Sequence, residues 1–451
     1  MSKFNAQELS DFARFYGFHY DEINPQALVK EVLIDMERGL EGSGSSLPMI
    51  PSYITPVTRI PPMKTVLALD AGGTNLRTSL VHFNENGDAI AQGARKRPMP
   101  GTNGQLSADE FFNTIADFTI PTLQETKVEG IGFTFSYPME ITSESDGILL
   151  AFSKEVDAPD VIGKAIGKGL RNALAEKGCK YSGPIVLLND TTATLLSGFT
   201  AISPDGEAAR AHNDFGAEGG PVVGFILGTG FNTAYPETNI PKIKFNSKSS
   251  PQIVVCETGS FNLRCLGKLD KEYDSTTKNP GSYLLEKATA GAYLGPLTLH
   301  ILQRAVKDKV LQFKKSEELL AMPNLETRIL NEFTHAPLTA KGPLGSLFDP
   351  KESDALAAVQ YITAIVTERG ALFSAAVLAA TIERMNSSFE PYAPVRIAVE
   401  GTTYMVYKGM RRSLESHLHQ LLFSEKPRPY VIAPVEQASL FGAAVAALSK
   451  R

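Results

Sequence analysis

Apolar runs that end in glycine and threonine occur twice in this chain, once in each half. The first reads VLALDAGGTNLRT at residues 66–78, and the second reads VVGFILGTGFNTAY at residues 222–235. Glycines after a strand let backbone N–H groups approach an anion, and threonine hydroxyls add further donors. Each unit therefore predicts a phosphate-sized turn, and the pair predicts two matching half-molecules. For either turn alone, a plain hairpin remains an open interpretation.

The elements around these units predict an α/β fold. Apolar positions at helical spacing in residues 6–40 predict helices, followed by a proline-rich connector that suggests a domain boundary near residue 63. Strands are expected at 78–83, 130–135, 184–190, 253–257 and 395–400, with helices at 107–118, 161–176, 283–304, 355–385 and 411–423. A β-rich start followed by alternating helices and strands is typical of α/β domains.

Length and composition narrow the class of protein. With 451 residues the chain exceeds what one hydrophobic core usually covers, so we expect two domains with a cleft between them. A net charge of −5 provides no basic field for nucleic acid or anionic lipid, and we interpret the Arg95–Arg97 triplet as a solvated loop. The first residues carry neither a signal peptide nor an anchor pattern, so a cytoplasmic location is expected.

Familiar nucleotide loops are missing from the sequence. Neither glycine turn continues as G-x-G-x-x-G, and no G-x-x-x-x-G-K-[ST] occurs anywhere in the chain. The three cysteines, Cys179, Cys256 and Cys265, are too few for a disulfide framework and lack zinc-type spacing, so we expect reduced thiols.

Asp190 is the strongest candidate for a catalytic residue. It follows the apolar strand PIVLLN and precedes a predicted helix, which places it at a strand end, where α/β sheets commonly form ligand sites. A carboxylate there could accept a hydroxyl proton during phosphoryl transfer. The alternative is an ordinary helix N-cap.

Further polar residues lie at other strand and helix ends. They are Ser153, Lys154, Asn189, Asn232, Glu257 and Glu286. Asn and carboxylate side chains in this number suit a polyhydroxylated ligand, because each buried hydroxyl needs a donor or acceptor. A sugar is the natural candidate, although each residue alone also has a plain structural interpretation.

These segments together resemble the hexokinase family. The family's phosphate signature appears at Leu69–Arg77, its GFTFSYP block at 132–138, and its L-x-N-D-T block at Leu187–Thr191. The resemblance continues in GTG-x-N at 228–232, in NPG followed by Glu286, in YLG at 293–295, in ERGALFSAA at 368–376 and in Gly401-Thr402. It covers roughly residues 25–451.

The resemblance implies the actin-like ATPase (ribonuclease H-like) fold, with two α/β domains flanking a cleft. The small domain would comprise residues 64–189 plus about 438–451, and the large domain residues 1–63 plus 190–437. The implied activity is ATP-dependent phosphorylation of the 6-hydroxyl of glucose and possibly other hexoses, feeding glycolysis. Mg²⁺ would arrive with ATP and be held by Asp70 through water. No nucleic acid or membrane partner is expected, and the protein would be a monomer or homodimer.

The resemblance also assigns residues to roles. Asp190 matches the catalytic base, and Lys154 should lie near the transferred phosphoryl group. The sugar would contact Ser153, Lys154, Asn189, Asp190, Asn232, Glu257 and Glu286. The nucleotide would contact Asp70, Gly72, Gly73, Thr74, Asn75, Arg77, Gly228, Thr229, Gly230, Thr327, Gly401, Thr402 and Ser439.

Three departures from the family pattern bear on specificity. The segment AFSKEV replaces W-T-K-G-F, so Ser153 stands for a Thr and the packing around it changes. The segment ETGSF lacks the family's Trp after Glu257. The segment ASLFGAA retains only Ser439 and the Gly-Ala-Ala of the C-terminal motif.

Three other interpretations remain. One is a ROK-family sugar kinase, a class that usually carries a Cys-rich zinc motif. The others are a non-catalytic sugar sensor and an actin-like or chaperone ATPase with a protein client.

Overall fold

The computed structural model describes residues 4–56, 60–152, 156–200, 221–247, 250–386, 394–423 and 427–449. Its strands are β1 (Ile50–Pro51), β2 (Lys64–Ala71), β3 (Asn75–Phe83), β4 (Ala89–Pro98), β5 (Ile131–Phe135), β6 (Met139–Ile141), β7 (Gly147–Leu149), β8 (Ile185–Leu188), β9 (Val222–Leu227), β10 (Phe231–Glu237), β11 (Asn239–Ile240), β12 (Phe245–Asn246), β13 (Gln252–Val255), β14 (Val395–Glu400) and β15 (Tyr430–Pro434).

The α-helices are α1 (Ala6–Phe15), α2 (Pro25–Glu41), α3 (Ala108–Glu125), α4 (Ile166–Glu176), α5 (Asp190–Ser197), α6 (Lys268–Ser275), α7 (Leu284–Thr289), α8 (Leu294–Lys307), α9 (Ser316–Leu320), α10 (Thr327–His335), α11 (Ser353–Asn386), α12 (Thr402–Val406), α13 (Met410–Leu422) and α14 (Ala438–Ser449). Short 3₁₀ turns lie at Tyr20–Glu22, Pro159–Val161, Pro241–Ile243, Thr258–Ser260 and Gly345–Leu347.

Two large sheets share a five-strand topology, to which the second adds β1 at one edge. The first has the order β4-β3-β2-β5-β8, and the second has β1-β13-β10-β9-β14-β15. In each, the strand that enters the glycine turn pairs antiparallel with the strand that leaves it and parallel with a later strand, β5 or β14. The repeat expected from the sequence is therefore present as a repeated sheet.

Both glycine turns are hairpin turns that join antiparallel strands. The first joins β2 to β3, whose register pairs Ala71 with Leu76, and the second joins β9 to β10, whose register pairs Leu227 with Phe231. The plain hairpin interpretation and the phosphate-turn interpretation are thus compatible, because a hairpin can present its backbone amides to an anion.

Two helices fill the space between the sheets. Helix α14 packs on β2, β5 and β8 of the first sheet, α5 packs on β9, β10 and β14 of the second, and the two helices pack on each other. One hydrophobic cluster joins both sheets through them; it includes Val66 and Val186 from the first sheet, Leu195 from α5, Ala398 from the second sheet and Ala444 from α14. The outer face of the first sheet is covered by α3 and α4.

Close contact on each side of this helical layer depends on a glycine. An added Cβ at Gly132 in β5 would lie 1.8 Å from the carbonyl oxygen of Ala443 in α14, and one at Gly224 in β9 would lie 2.7 Å from that of Thr191 in α5. Larger residues at these positions would hold the helices away from the sheets.

Helix α11 is the central helix of the second core, where it packs against α2, α8, α13 and β10. Among the described helices it is the one long and apolar enough to span a membrane by length and composition, with a mean hydropathy of 1.5 over the most apolar window. Because 89% of that window is buried inside the protein, its apolar composition matches its place in the core.

Two local expectations were wrong. The Arg95–Arg97 triplet lies on edge strand β4 rather than in a loop, and its two arginines stack over Phe118 and bond to α3: Arg95 donates to the Phe118 carbonyl at 2.9 Å. The helix expected over 283–304 is two helices, α7 and α8. The break falls at Ala290–Tyr293, where the amides of Gly291 and Ala292 donate to the carbonyls of Gly228 and Thr229 in the second glycine turn.

Candidate active site

A tyrosine side chain forms hydrogen bonds to the first glycine turn. The hydroxyl of Tyr137, from the GFTFSYP block, donates to the carbonyl oxygens of Gly73 at 3.1 Å and Gly72 at 3.4 Å. Burial raises the pKa of Tyr137 to about 12, so its hydroxyl keeps the proton that it donates. This contact orients the turn's carbonyls inward and leaves Thr74 exposed beside it.

Asp70 lies at the end of β2, just before this turn, and is buried. The Oγ of Ser439, at the start of α14, lies 3.4 Å from its Oδ2, and the exposed Arg77 lies 3.9 Å from the same oxygen. The structure therefore brings together Asp70, Arg77 and Ser439, which are distant in the sequence.

The second glycine turn is fixed by two other segments. The carbonyl oxygen of Gly228 accepts from the Gly291 amide at 2.8 Å and from the Thr403 hydroxyl at 2.7 Å. Gly401 has a φ of 128°, and a Cβ there would lie 2.3 Å from the Leu227 carbonyl oxygen, so only glycine fits. Gly228 and Gly401, both predicted to contact nucleotide, are thus neighbours, and Thr229 and Thr402 beside them are exposed.

Asp190 is the first residue of α5, and Asn189 is the helix cap. The Asn189 side chain accepts the Thr192 amide at 2.8 Å, so the capping role considered for Asp190 belongs to its neighbour. The Thr191 hydroxyl donates to Oδ1 of Asp190 at 3.3 Å. The Asp190 carboxylate is partly exposed, as a base that meets substrate must be.

Three of the predicted sugar contacts, Asn232, Glu257 and Glu286, are positioned by strand β10. The Asn232 Nδ2 donates to Glu257 at 2.8 Å, while its Oδ1 accepts the amides of Thr233 at 2.8 Å and Thr258 at 3.3 Å. The Phe231 amide donates to Glu286 at 3.1 Å. Asn232 and Phe231 are adjacent in β10, so one strand positions both carboxylates.

The environment of Glu257 and Glu286 disfavours their charged forms. Burial raises the pKa of Glu257 to about 7, with further contributions from the charges of Asp190 and Glu286, while the Asn232 hydrogen bond opposes this shift. Burial also raises the pKa of Glu286, against the Phe231 amide and Lys287. Near neutral pH, the Glu257 carboxyl can therefore either donate or accept a hydrogen bond.

Glu400 is a further carboxylate of this region that sequence reasoning missed. Burial raises its pKa to about 7, and the charges of Asp190 and Asp70 raise it further, while hydrogen bonds from Thr194 and the Ala438 amide oppose the shift. The Thr194 hydroxyl lies 3.3 Å from its Oε2. The available signal was its position: it ends β14 directly before Gly401, and Asp70 lies similarly near the end of β2, one residue before Ala71 and two before Gly72.

The remaining predicted residues divide into three groups. Thr327 begins α10 and accepts the Gly295 amide at 2.7 Å, which ties the predicted nucleotide segment to α8. Asn75 donates to Thr74 at 2.8 Å within the first turn, and Gly230 accepts the Gly228 amide at 3.0 Å within the second. Ser153 and Lys154 lie outside the described residues.

The carboxyl groups of this region suit a cation that takes most of its ligands from water and from nucleotide phosphates. Among the described residues, no group of three or more His, Cys, Asp or Glu side chains could form a metal site of its own. Asp70 offers one buried carboxylate, and Glu400 lies close enough for the charge of Asp70 to raise its pKa. Mg²⁺ keeps several waters and usually takes its other ligands from nucleotide phosphates, so this arrangement fits a Mg²⁺–nucleotide complex.

Comparison with known proteins identifies the family. Residues 14–199 match one description of hexokinase and residues 222–449 match another. The chain belongs to the hexokinase family, and the actin-like ATPase fold that the resemblance implied is confirmed.

The similarity to individual members extends over nearly the whole chain. Hexokinase-2 of Candida albicans is 28% identical over 94% of this chain and 89% of its own length. The hexokinase of Schwanniomyces occidentalis is 27% identical over 92% of this chain and 88% of its own length. The solved structure of Schistosoma mansoni hexokinase complexed with glucose has a TM-score of 0.75 and 26% identity, and the match covers 99% of this chain and 100% of that one.

Proposed function

We propose that this protein transfers the γ-phosphoryl group of ATP, bound with Mg²⁺, to the 6-hydroxyl of glucose or a closely related hexose. One observation carries the proposal: the Thr194 hydroxyl donates to the Asp190 carbonyl at 2.9 Å and lies 3.3 Å from Oε2 of Glu400, which joins the first turn of α5 to Glu400. In agreement with this contact, the charge of Asp190 contributes to the raised pKa of Glu400 and also to that of Glu257. Glu257 belongs to the predicted sugar group and Glu400 lies near Asp70 of the phosphate turn. A base between those two sites is what transfer from a nucleotide to a sugar hydroxyl requires.

In the proposed chemical step, one bond to the γ-phosphorus forms and another breaks. The sugar O6 forms a bond to the γ-phosphorus while the bond from that phosphorus to the β,γ-bridging oxygen breaks, and its electrons stay with ADP. The hydroxyl proton passes to the Asp190 carboxylate.

The sugar hydroxyls would be matched by the group around β10. Glu257 and Glu286 each retain lone pairs beyond the bonds they accept from Asn232 and Phe231. A hexose that offers its ring hydroxyls to these groups gains several partners at once, while one that lacks a hydroxyl leaves a buried polar group unpaired. Such a site discriminates strongly against deoxy analogues.

The nucleotide side would use the two glycine turns. Exposed Thr74, Thr229 and Thr402 border them and could donate to phosphate oxygens. Asp70 would hold the Mg²⁺ ion through water, and the ion would offset the negative charge of the phosphates that the surrounding carboxylates repel.

The test is product formation from ATP and Mg²⁺ with glucose, mannose, fructose, glucosamine and N-acetylglucosamine. The wild type should form a sugar 6-phosphate, and Asp190→Ala should lower kcat by roughly 10³-fold or more, because a base and a polar sugar contact are lost together. Asp109→Ala is a matched control, since Asp109 is an exposed aspartate in the first turn of α3.

The outcomes separate the proposal from its rival. Near wild-type turnover in Asp190→Ala would contradict the assignment of the base. No product from any sugar, combined with glucose binding that is still measurable by calorimetry, would instead favour a non-catalytic sugar sensor.

A further inference from the structure

The two large sheets differ in how their edge strands are protected. Strand β4, at one edge of the first sheet, carries Arg95, Lys96 and Arg97, and its pairing with β3 contains a bulge between Thr78 and Leu80. Charges and bulges of this kind keep an edge from pairing with another chain. Strand β15, at one edge of the second sheet, reads YVIAP, and each of its five residues is at least partly exposed. It therefore lacks the protection that β4 has, apart from the proline at its end.

The pairing of β15 with β14 shows which of its backbone groups face away from the sheet. The Pro429 carbonyl accepts a hydrogen bond from β14 at 2.9 Å, and the Val435 amide donates one to β14 at 2.9 Å. Because successive residues of a strand direct their backbone groups to opposite sides, the odd-numbered residues of β15 bond to β14. The N–H and C=O groups of Tyr430 and Ile432 therefore lie along the outer edge, where no strand of the described residues pairs with them.

This edge is complementary to a second copy of itself. With a two-fold axis at Ile432, two β15 strands run antiparallel, and each Ile432 amide donates to the Ile432 carbonyl of the other copy. Each Tyr430 amide donates to the Pro434 carbonyl of the other copy, so the missing N–H of Pro434 lies at the end of the pair. We propose that β15 is a dimerisation edge, at which two copies of this chain join their second sheets into one continuous sheet.

Charges on both sides of β15 favour this occupant and this register. Arg428 lies four residues before Ile432 and Glu436 four residues after it, so the antiparallel pair sets each arginine opposite the glutamate of the other copy. Glu436 is exposed and Arg428 is partly exposed. Within one chain these two side chains are separated by roughly 25 Å of largely extended backbone and cannot pair with each other. An axis at Val431 would offer similar backbone bonds but would misalign the charges.

An exposed aromatic ring borders the same edge. Phe423, directly after α13, is 41% exposed; its ring lies 4.5 Å from that of His419 and meets the Tyr430 ring edge-on at 6.2 Å. In the proposed pair Tyr430 lies opposite the exposed Pro434 of the other copy, which would cover the Phe423 ring. Aromatic residues within a polar rim are typical of protein interfaces. Since one strand pair buries less area than an obligate interface, we expect a dimer that dissociates in the micromolar range.

Sedimentation velocity between about 1 and 100 µM tests the association. Over this range the wild type should pass from the monomer mass of 48.7 kDa to twice that mass. Ile432→Pro removes the outward N–H without removing a bond to β14, so it should raise the dissociation constant at least about tenfold. Thermal unfolding of the same variant checks that the chain still folds.

Charge reversal tests the partner and serves also if Ile432→Pro fails to fold. Arg428→Glu and Glu436→Arg each place like charges opposite one another and should each weaken the dimer, by about tenfold at low salt. The double variant Arg428→Glu, Glu436→Arg should restore association, and only contact between copies explains such a rescue. Lys96→Glu, at an exposed position of the β4 edge, is the matched control and should leave the dimer unchanged.

Disulfide formation tests the register. With the axis at Ile432, Val431 of one copy lies opposite Ala433 of the other in a non-hydrogen-bonded pair, whose Cα atoms are about 4.5 Å apart and within disulfide reach. A mixture of Val431→Cys and Ala433→Cys proteins should therefore cross-link on oxidation. Either variant alone should cross-link no more than the wild type, which carries the same native cysteines.

Two results would overturn the proposed dimer. One is a wild type that stays monomeric over the whole concentration range, and the other is a dimer that is unchanged in Ile432→Pro and in both single charge variants. Cross-linking of Val431→Cys alone would place the axis at Val431 and overturn the register. These measurements need neither ATP nor sugar, so their outcome is independent of the proposed function.

Discussion

A single hydroxyl supports the first phosphate turn, and its removal is the most direct test of that turn. Tyr137→Phe deletes the donor to Gly72 and Gly73 without changing the packing of the ring. A net hydrogen bond contributes about 0.5–1.5 kcal/mol, so we expect KM for ATP to rise roughly two- to tenfold while KM for glucose stays unchanged. Steady-state kinetics with each substrate varied in turn measure this difference. Equal increases in both KM values would point to a general loss of structure.

Gly230 makes room for a sugar-binding carboxylate. A Cβ at this position would lie 2.9 Å from Oε2 of Glu286, with no other obstacle than the Glu286 carboxyl. In Gly230→Ala the carboxylate must therefore move, and we expect KM for glucose to rise about tenfold or more with little change in stability. Gly342→Ala, where the nearest atom lies 3.4 Å away on Ile329, is the matched control. Unchanged glucose kinetics in Gly230→Ala would argue against a sugar contact by Glu286.

Glu400 should make stability depend on pH. Its pKa is raised from 4.5 to about 7 in the folded protein, so the folded state retains a proton that the unfolded chain releases. The stabilisation is complete below about pH 4.5 and is lost as the pH rises through 7. Glu400→Gln should gain roughly 2–3 kcal/mol relative to the wild type between pH 5 and pH 8.

Urea unfolding at several pH values measures this difference, with Glu140→Gln at an exposed position of β6 as the control. A constant difference between Glu400→Gln and the wild type across this range would show that Glu400 does not titrate there.

Sequence could indicate which residues carry the chemistry but not how they are held. Asp190 and Glu257 stood out because each is a polar residue at the end of an apolar run, and Asn232 stood out because it follows the second glycine turn. Glu400 was missed since a single Glu before a glycine is common, and its meaning depends on Asp70 and Asp190, which approach it only in the fold. Thr403 was missed for the same reason, because its partner Gly228 lies 175 residues away.

At the level of elements, periodicity located the long helices and strands but not their interruptions. The stretch at 283–304 has a continuous helical pattern, yet its central amides bond to Gly228 and Thr229 instead of to the preceding turn. The Arg95–Arg97 triplet similarly lies on β4 because α3 offers carbonyl groups and an aromatic face to its arginines. Tertiary partners decide both cases, and they are absent from any local window.

Helices α6 and α11 are joined by a buried ion pair. Arg369 donates to both carboxylate oxygens of Asp270, at 2.6 and 2.7 Å, and Asp270 also accepts the Gly267 amide at 3.0 Å. Asp270→Asn would leave the guanidinium, which has no exposed surface, without its counter-charge, and should cost about 3–5 kcal/mol in the free energy of unfolding.

Chemical denaturation compares this variant with Glu332→Gln, which breaks the exposed Arg328–Glu332 pair and should cost less than about 0.5 kcal/mol. The double variant Asp270→Leu, Arg369→Met should recover much of the lost stability, because replacing both charges removes the unpaired one. Similar losses in Asp270→Asn and Glu332→Gln would mean that water reaches the buried pair.

The molecule as a whole consists of two similar sheets separated by the α5–α14 layer. The candidate base begins α5, and Ser439, which contacts Asp70, lies at the start of α14. We therefore expect a movement of one sheet relative to the other to shift the contact between these two helices, and with it the predicted base relative to the first phosphate turn. Small sliding of packed helices is a common mechanism of domain closure.

Gly442 is the position at which this movement can be tested. A Cβ there would lie 1.9 Å from the carbonyl oxygen of Ala193 and 2.5 Å from its Cα, so Gly442→Ala forces α14 away from α5. Overpacking of this kind costs about 1–3 kcal/mol of stability, and we expect kcat to fall by more than KM rises, because the base itself is displaced. Thermal unfolding measures the loss of stability, and steady-state kinetics measure kcat and KM. Small-angle scattering with and without glucose measures the closure of the cleft.

Ser449→Ala is the matched control, since among the described residues its hydroxyl bonds only to the Ala446 carbonyl within the last turn of α14. If sugar closes the cleft through the α5–α14 contact, glucose should reduce the radius of gyration of the wild type and of Ser449→Ala but not of Gly442→Ala. Gly442→Ala could be less stable yet keep both the wild-type kcat and the glucose-dependent compaction. That result would show that closure of the cleft does not depend on the α5–α14 contact. In that case the close contact at Gly442 would serve only to pack the two halves together.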